Sequence, residues 1–309
     1  VSHHHLSWLE AGVIGLTQGV SELFPVSSLG HSVLIPAVVG GSWSRDLDVR
    51  SPESPYLAFI VGLHVATAIA LICYFWRDWV RILHGLVTSI GRREVRTADQ
   101  RLAWLLVLAT IPVGLVGLIF EHWLRTNLAR PIPTTIFLML NGLLLLGIER
   151  GRRCSRERVG DEDGIDQEYV DERVSGPVSD ARLSRLSVPT AVGIGTAQIL
   201  ALAPGISRSG AAMSGGLLRG LSREDAARFS FLLATPVILA AGALKLGDLT
   251  GPLGDGIRGQ VLFGSVLSGV GAYLSVRFLT RYFAHRSLRP FGAYCLAAGA
   301  ACLVYLTVR

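Results

Sequence analysis

Residues 56–76, YLAFIVGLHVATAIALICYFW, hold no aspartate, glutamate, lysine or arginine. An apolar run of about 20 residues is what a helix needs to cross the hydrocarbon of a bilayer. A soluble domain can bury one such run as a core helix, but not a series of them. Here residues 102–120, 132–148, 226–246, 260–276 and 290–308 repeat the pattern, and half of all residues are hydrophobic against 17% charged. The fold class expected is an all-α integral membrane protein with six transmembrane helices. No removable signal peptide is expected, because no basic segment precedes the first apolar run. His3–His5 are a tag remnant or native residues and receive no function.

Two stretches interrupt the apolar sequence with polar groups. Residues 17–31 read TQGVSELFPVSSLGH, and residues 197–210 read AQILALAPGISRSG. A shift of 180 positions pairs Gly15 with Gly195, Gln18 with Gln198, Ser27 with Ser207 and Gly30 with Gly210, while Pro25 and Pro204 fall one position out of step. The apolar arms on either side of each proline are too short to span alone. Two re-entrant helical hairpins, over residues 6–40 and 188–220, suit those lengths and breaks. The chain then divides into a first repeat, 1–148, a linker, 149–187, and a second repeat, 188–309. The linker, mixed in charge and short of aromatics, reads as flexible and cytosolic. Residues 77–101 read as a basic loop, and Pro112 as a kink in its span.

A formal net charge of +6 would suggest nucleic acid in a soluble protein. Here the excess is almost all arginine, Lys245 being the only lysine, and it collects between the spans, so no nucleic-acid partner is expected. Loops at 77–101, 149–187, 219–228 and 277–289 hold 21 arginines, against five at 41–55, 121–133 and 249–258. Positively charged loops stay cytoplasmic. The alternation inserts the two halves in opposite senses, an inverted-topology repeat whose hairpin tips meet near the midplane. Cys73, Cys154, Cys295 and Cys302 lack metal-binding spacing and read as free thiols.

Glu22 and Arg208 carry the chemistry. A charge at mid-bilayer costs about 2.5–3.5 kcal/mol on insertion scales, so the two are expected to share a polar cavity. The plainer alternative is a buried pair that only pins the repeats together. Ser27, Ser28, Ser207 and Ser209 follow the proline breaks and open new helical arms. Helix N-termini there offer unpaired N–H groups to an anion, with Arg208 as a planar fork for phosphate oxygens. Gly205 and Gly210 leave room for close backbone approach. Gln18 and Glu22, four apart, face one way and suit a divalent cation, or Glu22 serves as a general base. His31 lies one turn beyond Ser28 and can reach its hydroxyl or its ligand. Phosphate chemistry fits this set better than acyl transfer, since no GxSxG elbow is present; the lack of a P-loop argues against nucleotide-driven pumping.

At these residues the chain resembles the bacterial undecaprenyl-pyrophosphate phosphatases of the bacitracin-resistance type. Residues 18–31 are similar to that family's G-(E/Q)-x-x-x-E-F-L-P-V-S-S-x-G-H region, residues 204–210 to its P-G-x-S-R-S-G motif, and residues 228–236 (RFSFLLATP) to E-F-S-F-L-L-A-x-P. The resemblance implies removal of the terminal phosphate from a C55 isoprenyl diphosphate, with Mg²⁺ or Ca²⁺, at a site open to the outer face of the plasma membrane. It implies functional roles for Glu22, Ser28, His31 and Arg208, with Ser27, Ser207 and Ser209 beside them. Gln18 stands where many relatives have Glu, and Ala212 where some have Thr. The attacking group is Ser28 helped by His31, or a metal-activated water. The expected partners are the polyprenyl diphosphate and the bilayer, with homodimerisation left open. A secondary transporter or flippase of a phosphorylated lipid or small anion is the alternative in another class.

Overall fold

The computed structural model describes residues 6–48, 55–159, 172–244 and 256–308. Among these the chain is helical throughout, without strands. The helices are α1 (Trp8–Ser21), α2 (Ser28–Val39), α3 (Gly41–Asp46), α4 (Pro55–Tyr74), α5 (Trp76–Arg92), α6 (Ala98–Leu128), α7 (Pro131–Val159), α8 (Glu172–Ser184), α9 (Val188–Ala197), α10 (Arg208–Leu218), α11 (Arg223–Leu244), α12 (Arg258–His285) and α13 (Arg289–Val308). A 3₁₀ turn, Gln198–Leu202, extends α9. Sequence signals set several starts. Ser7 and Glu10 form a reciprocal capping box on α1, Thr97 and Gln100 another on α6, and Ser187 caps α9 just before Pro189.

Among the described residues, five stretches are long and apolar enough to cross a membrane: Ala98–Phe120, Pro131–Arg152, Arg223–Ala243, Arg258–His285 and Arg289–Val308. The total reaches seven if each of two bent helix pairs is one span. In one pair, α4 carries the first apolar run and turns by 89° into α5. The other pair bends by 103° between α8 and α9.

The pairings position the hairpins. Arm α1 lies along α12 of the other half, and arm α9 lies along α6 of the first half. Helices α7 and α13 pack on one another, and α4 touches both α11 and α12. Glycines permit the close crossings. A Cβ on Gly195 would sit 1.9 Å from the Ala109 carbonyl oxygen, and one on Gly15 would sit 2.5 Å from that of Gly264. Between α7 and α13, Gly142 and Gly292 face each other, each with room for no side chain beyond hydrogen. Small residues at such crossings let helices gain dispersion contacts where lipid offers no hydrophobic drive.

Two expectations are corrected. Residues 77–101 are not simply a loop: most of them form α5, an amphipathic helix. The linker is ordered at both ends, with α7 continuing to Val159 and α8 docking on the bundle. Ion pairs explain the docking. Asp180 of α8 is buried and receives Arg81 at 2.8 Å and Arg228 at 2.8 and 3.0 Å. Arg182 forks onto Asp225 at 2.8 Å through both nitrogens, and Ser179 donates to the same carboxylate. Buried charge with several partners holds a segment that composition alone marks as loose. Helix α6 is continuous through Pro112. Cys73, Cys295 and Cys302 are free thiols.

Gly195→Ala should destabilise the protein by about 1–3 kcal/mol, the range for forced overpacking. Gly114→Ala, in the interior of α6 with nothing within 4 Å, should stabilise it by roughly 0.5–1 kcal/mol. Thermal unfolding in detergent measures both, and equal midpoints would contradict the crossing described.

Candidate active site

The two breaks in the hairpins sit against one another. Ser27 caps α2 by accepting the Gly30 N–H at 3.2 Å, and the same oxygen accepts the Gly205 N–H of the second hairpin at 3.2 Å. Ser207 caps α10 through the Gly210 N–H at 3.2 Å, and its hydroxyl reaches the Phe24 carbonyl of the first hairpin at 3.4 Å. Ser209 donates to that carbonyl at 3.3 Å. Asn141, from the middle of α7, joins the two tips. Its amide nitrogen donates to the Pro25 carbonyl at 3.0 Å, and its oxygen accepts the Ser207 N–H at 3.1 Å. Each break in a helix frees backbone groups that hydrocarbon cannot satisfy. Here each tip satisfies the other.

Behind this clasp, polar side chains converge on one carboxylate. Arg208 donates to Glu22 Oε1 at 2.7 Å, across 186 residues of chain. Gln18 Nε2 donates to Oε2 at 2.8 Å, and the Ser28 hydroxyl donates to the same oxygen. His64 of α4 places Nε2 3.5 Å from Oε2, while its Nδ1 hydrogen-bonds to the Ile60 carbonyl at 2.8 Å. Glu22 and Gln18 are buried, and the Arg208 side chain is 15% exposed. Two buried atoms in this cluster have no partner among the described residues: Arg208 Nη1 and Gln18 Oε1. One is a cationic donor and the other a hard oxygen acceptor.

The structure therefore brings Gln18, Glu22, Ser28 and Arg208 together as the sequence indicates. His31 bonds elsewhere: Nδ1 lies 2.7 Å from the Ser27 carbonyl and Nε2 lies 2.7 Å from the Tyr294 hydroxyl. Ser27, Ser207 and Ser209 spend their hydroxyls on caps and on the facing hairpin. Gly205, at φ 111°, and Gly210 admit neighbouring protein: a Cβ on Gly205 would meet the Thr134 carbonyl at 2.5 Å, and one on Gly210 the Pro25 ring at 3.2 Å.

Sequence reasoning missed His64, Asn141 and Tyr294. For the first two a signal existed, since each is a strongly polar side chain near the middle of an apolar run. Tyr294 carried none, because tyrosine is ordinary in such helices.

Residues 11–301 match the model of the bacitracin resistance protein family, BacA. The chain belongs to this family. It is 59% identical over 308 residues to the undecaprenyl-diphosphatase of Mycolicibacterium paratuberculosis (strain ATCC BAA-968 / K-10), covering 99% of each chain. The undecaprenyl-diphosphatase of Mycobacterium avium (strain 104) is 59% identical over 307 residues, 98% of this chain and 99% of the relative. Undecaprenyl-diphosphatase 1 of Frankia casuarinae is 50% identical over 362 aligned positions, 96% and 98% of the two chains. Membership of the bacitracin resistance family thus extends over nearly the whole length, hairpins and spans alike.

Asn141→Leu keeps the volume but leaves the Ser207 N–H and the Pro25 carbonyl without their partner. Each orphaned buried group costs about 1–3 kcal/mol. The variant should unfold at a clearly lower temperature in detergent, and an unchanged midpoint would show that the clasp at α7 contributes nothing.

Proposed function

We propose that this chain is an undecaprenyl-diphosphatase, hydrolysing undecaprenyl diphosphate to undecaprenyl phosphate and inorganic phosphate within the bacterial cell membrane. The products imply a role in recycling the lipid carrier of cell-wall synthesis, and family membership implies bacitracin resistance. The observation that carries the reading is the Glu22 cluster, with a spare cationic donor on Arg208 and a spare oxygen on Gln18. The names of the relatives support hydrolysis over transport.

Arg208 Nη1 is the donor that meets a phosphate oxygen, strengthened by its low-dielectric surroundings. The N-terminus of α10 adds its dipole to the same point. Ser28 is the nucleophile this geometry favours, because its hydroxyl already donates to Glu22. Glu22 takes the Ser28 proton as Oγ attacks the terminal phosphorus and the bond to the bridging oxygen breaks, and undecaprenyl phosphate leaves carrying that proton. Water then attacks the phosphoserine and gives a proton to Glu22, which passes it to Ser28 Oγ as the P–Oγ bond breaks and inorganic phosphate is released.

A divalent cation fits this site in a restricted form. No cluster of three or more His, Cys, Asp or Glu ligands occurs among the described residues, so the protein offers no closed cage. Gln18 Oε1 and Glu22 supply two hard oxygens, which suits an ion that draws its other ligands from phosphate and water. Such an ion would neutralise charge on the diphosphate.

The two halves, 1–148 and 188–309, are read as inverted repeats of three spans and one re-entrant hairpin. The arginine-rich ends of the spans lie in the cytoplasm and the site opens to the outer face. The matched pairings of α1 with α12 and α9 with α6 support this arrangement. The prenyl tail lies along the lipid-facing surface, so only the diphosphate has to enter the polar site.

Phosphate release from C55 diphosphate by the purified protein in detergent tests the activity. Arg208→Ala and Ser28→Ala should each lower the rate by more than about 100-fold, in line with losing a transition-state donor or a nucleophile. A chelator should lower it as well. Absence of release by the folded protein would remove the phosphatase reading. Near-normal turnover by Ser28→Ala would pass the attack to water, and release insensitive to chelation would remove the metal role of Gln18 and Glu22.

A further inference from the structure

Resting on the reading of Ser28 as nucleophile, we propose that Tyr294 is a positioning residue for the reaction, acting through His31 on the turn that carries Ser28. The argument starts at Ser27, one of two non-glycine residues with positive φ among those described, at φ 69° and ψ 99°. A serine in such a conformation is strained, and strain of this kind persists only where surrounding contacts over-determine it. Ser27 is held from both ends. Its hydroxyl accepts the N–H groups of Gly30 and Gly205, each at 3.2 Å. Its carbonyl oxygen accepts the His31 backbone N–H at 3.2 Å and lies 2.7 Å from His31 Nδ1. The next residue along the chain is Ser28.

The ring of His31 needs its own restraint to serve as a clamp. A carbonyl oxygen can only accept, so Nδ1 carries the proton, and in the neutral ring Nε2 is an acceptor. The Tyr294 hydroxyl lies 2.7 Å from Nε2 and donates to it. The two rings also stack, with centroids 5.8 Å apart and planes within 5°. Tyr294 belongs to α13, which also meets the first tip through Phe291, edge-on to Phe24, and through Cys295, 3.9 Å from the Pro25 carbonyl. The phenol thus extends a line of hydrogen bonds, Tyr294 to His31 to the Ser27 carbonyl, that ends on the peptide preceding the attacking hydroxyl. Loss of the phenol hydroxyl frees the imidazole to rotate, and the aim of Ser28 loosens. A misplacement of this kind lowers the rate of the chemical step more than it weakens binding of the diphosphate, which Arg208 holds.

Tyr294→Phe keeps the stacked ring and removes only the hydroxyl. It should lower kcat about tenfold with KM within about twofold, the pattern of a lost aiming contact. In a His31→Ala background the same substitution should have no further effect, because the relay is already cut. Wild-type kcat in Tyr294→Phe would overturn the proposal, and so would an equal loss in both backgrounds. A second measurement needs no turnover. In ¹⁵N-histidine-labelled protein, Tyr294→Phe should shift the His31 Nε2 resonance, and an unmoved resonance would overturn the contact itself. If the wild type releases no phosphate, the phosphatase reading fails while the resonance still decides whether the clamp exists.

Discussion

Everything at the centre of this molecule follows from hydrocarbon offering no hydrogen bonds. A helix broken inside a bilayer leaves N–H and carbonyl groups that must find partners within the protein. This chain breaks two helices, at residues 22–27 and 203–207, and brings the breaks face to face. Ser27 serves two helix starts in different halves, and the Phe24 carbonyl is served by two serines from the other half. Asn141 closes the arrangement from α7. Each tip thus supplies hydrogen bonds that the other tip's backbone lacks.

The same logic governs charge. Glu22 is costly in the bundle, and it is retained with every oxygen engaged: Arg208 on one, Gln18, Ser28 and His64 about the other. Such a cluster would serve equally well as a structural rivet if it were complete. It is not complete, since Arg208 Nη1 and Gln18 Oε1 are buried without partners among the described residues. A cationic donor and a hard oxygen acceptor are thus left over beside the Glu22 carboxylate.

The apolar helices and the two helix breaks were legible in the sequence because bilayer thickness fixes helix length and proline marks a break. The convergence of Gln18, Glu22, Ser28 and Arg208 was legible because charge inside apolar sequence requires a partner. What stayed hidden depends on relations between distant residues. His64, Asn141 and Tyr294 are single side chains within spans, and their roles appear only with Glu22, Pro25 and His31 beside them. Helix α5 was hidden for a different reason. Its arginines dominate the composition of residues 77–101, while Trp76, Val80, Leu83, Val87 and Ile90 fall on one exposed stripe at helical spacing. The docking of α8 was hidden because Asp180 reads as a solvated charge until Arg81 and Arg228 are placed around it.

The distance along the chain between Glu22 and Arg208 bears on how the protein is made. Membrane helices enter the bilayer as they are synthesised, and Glu22 emerges long before its guanidinium partner exists. Its other companions, Gln18, Ser28 and His64, all come from the first 64 residues. These groups are synthesised, and so are available to the carboxylate, before the second hairpin exists. Three of the four polar groups about Glu22 thus belong to its own half of the chain, and the arginine from the other half is the last of them to be made.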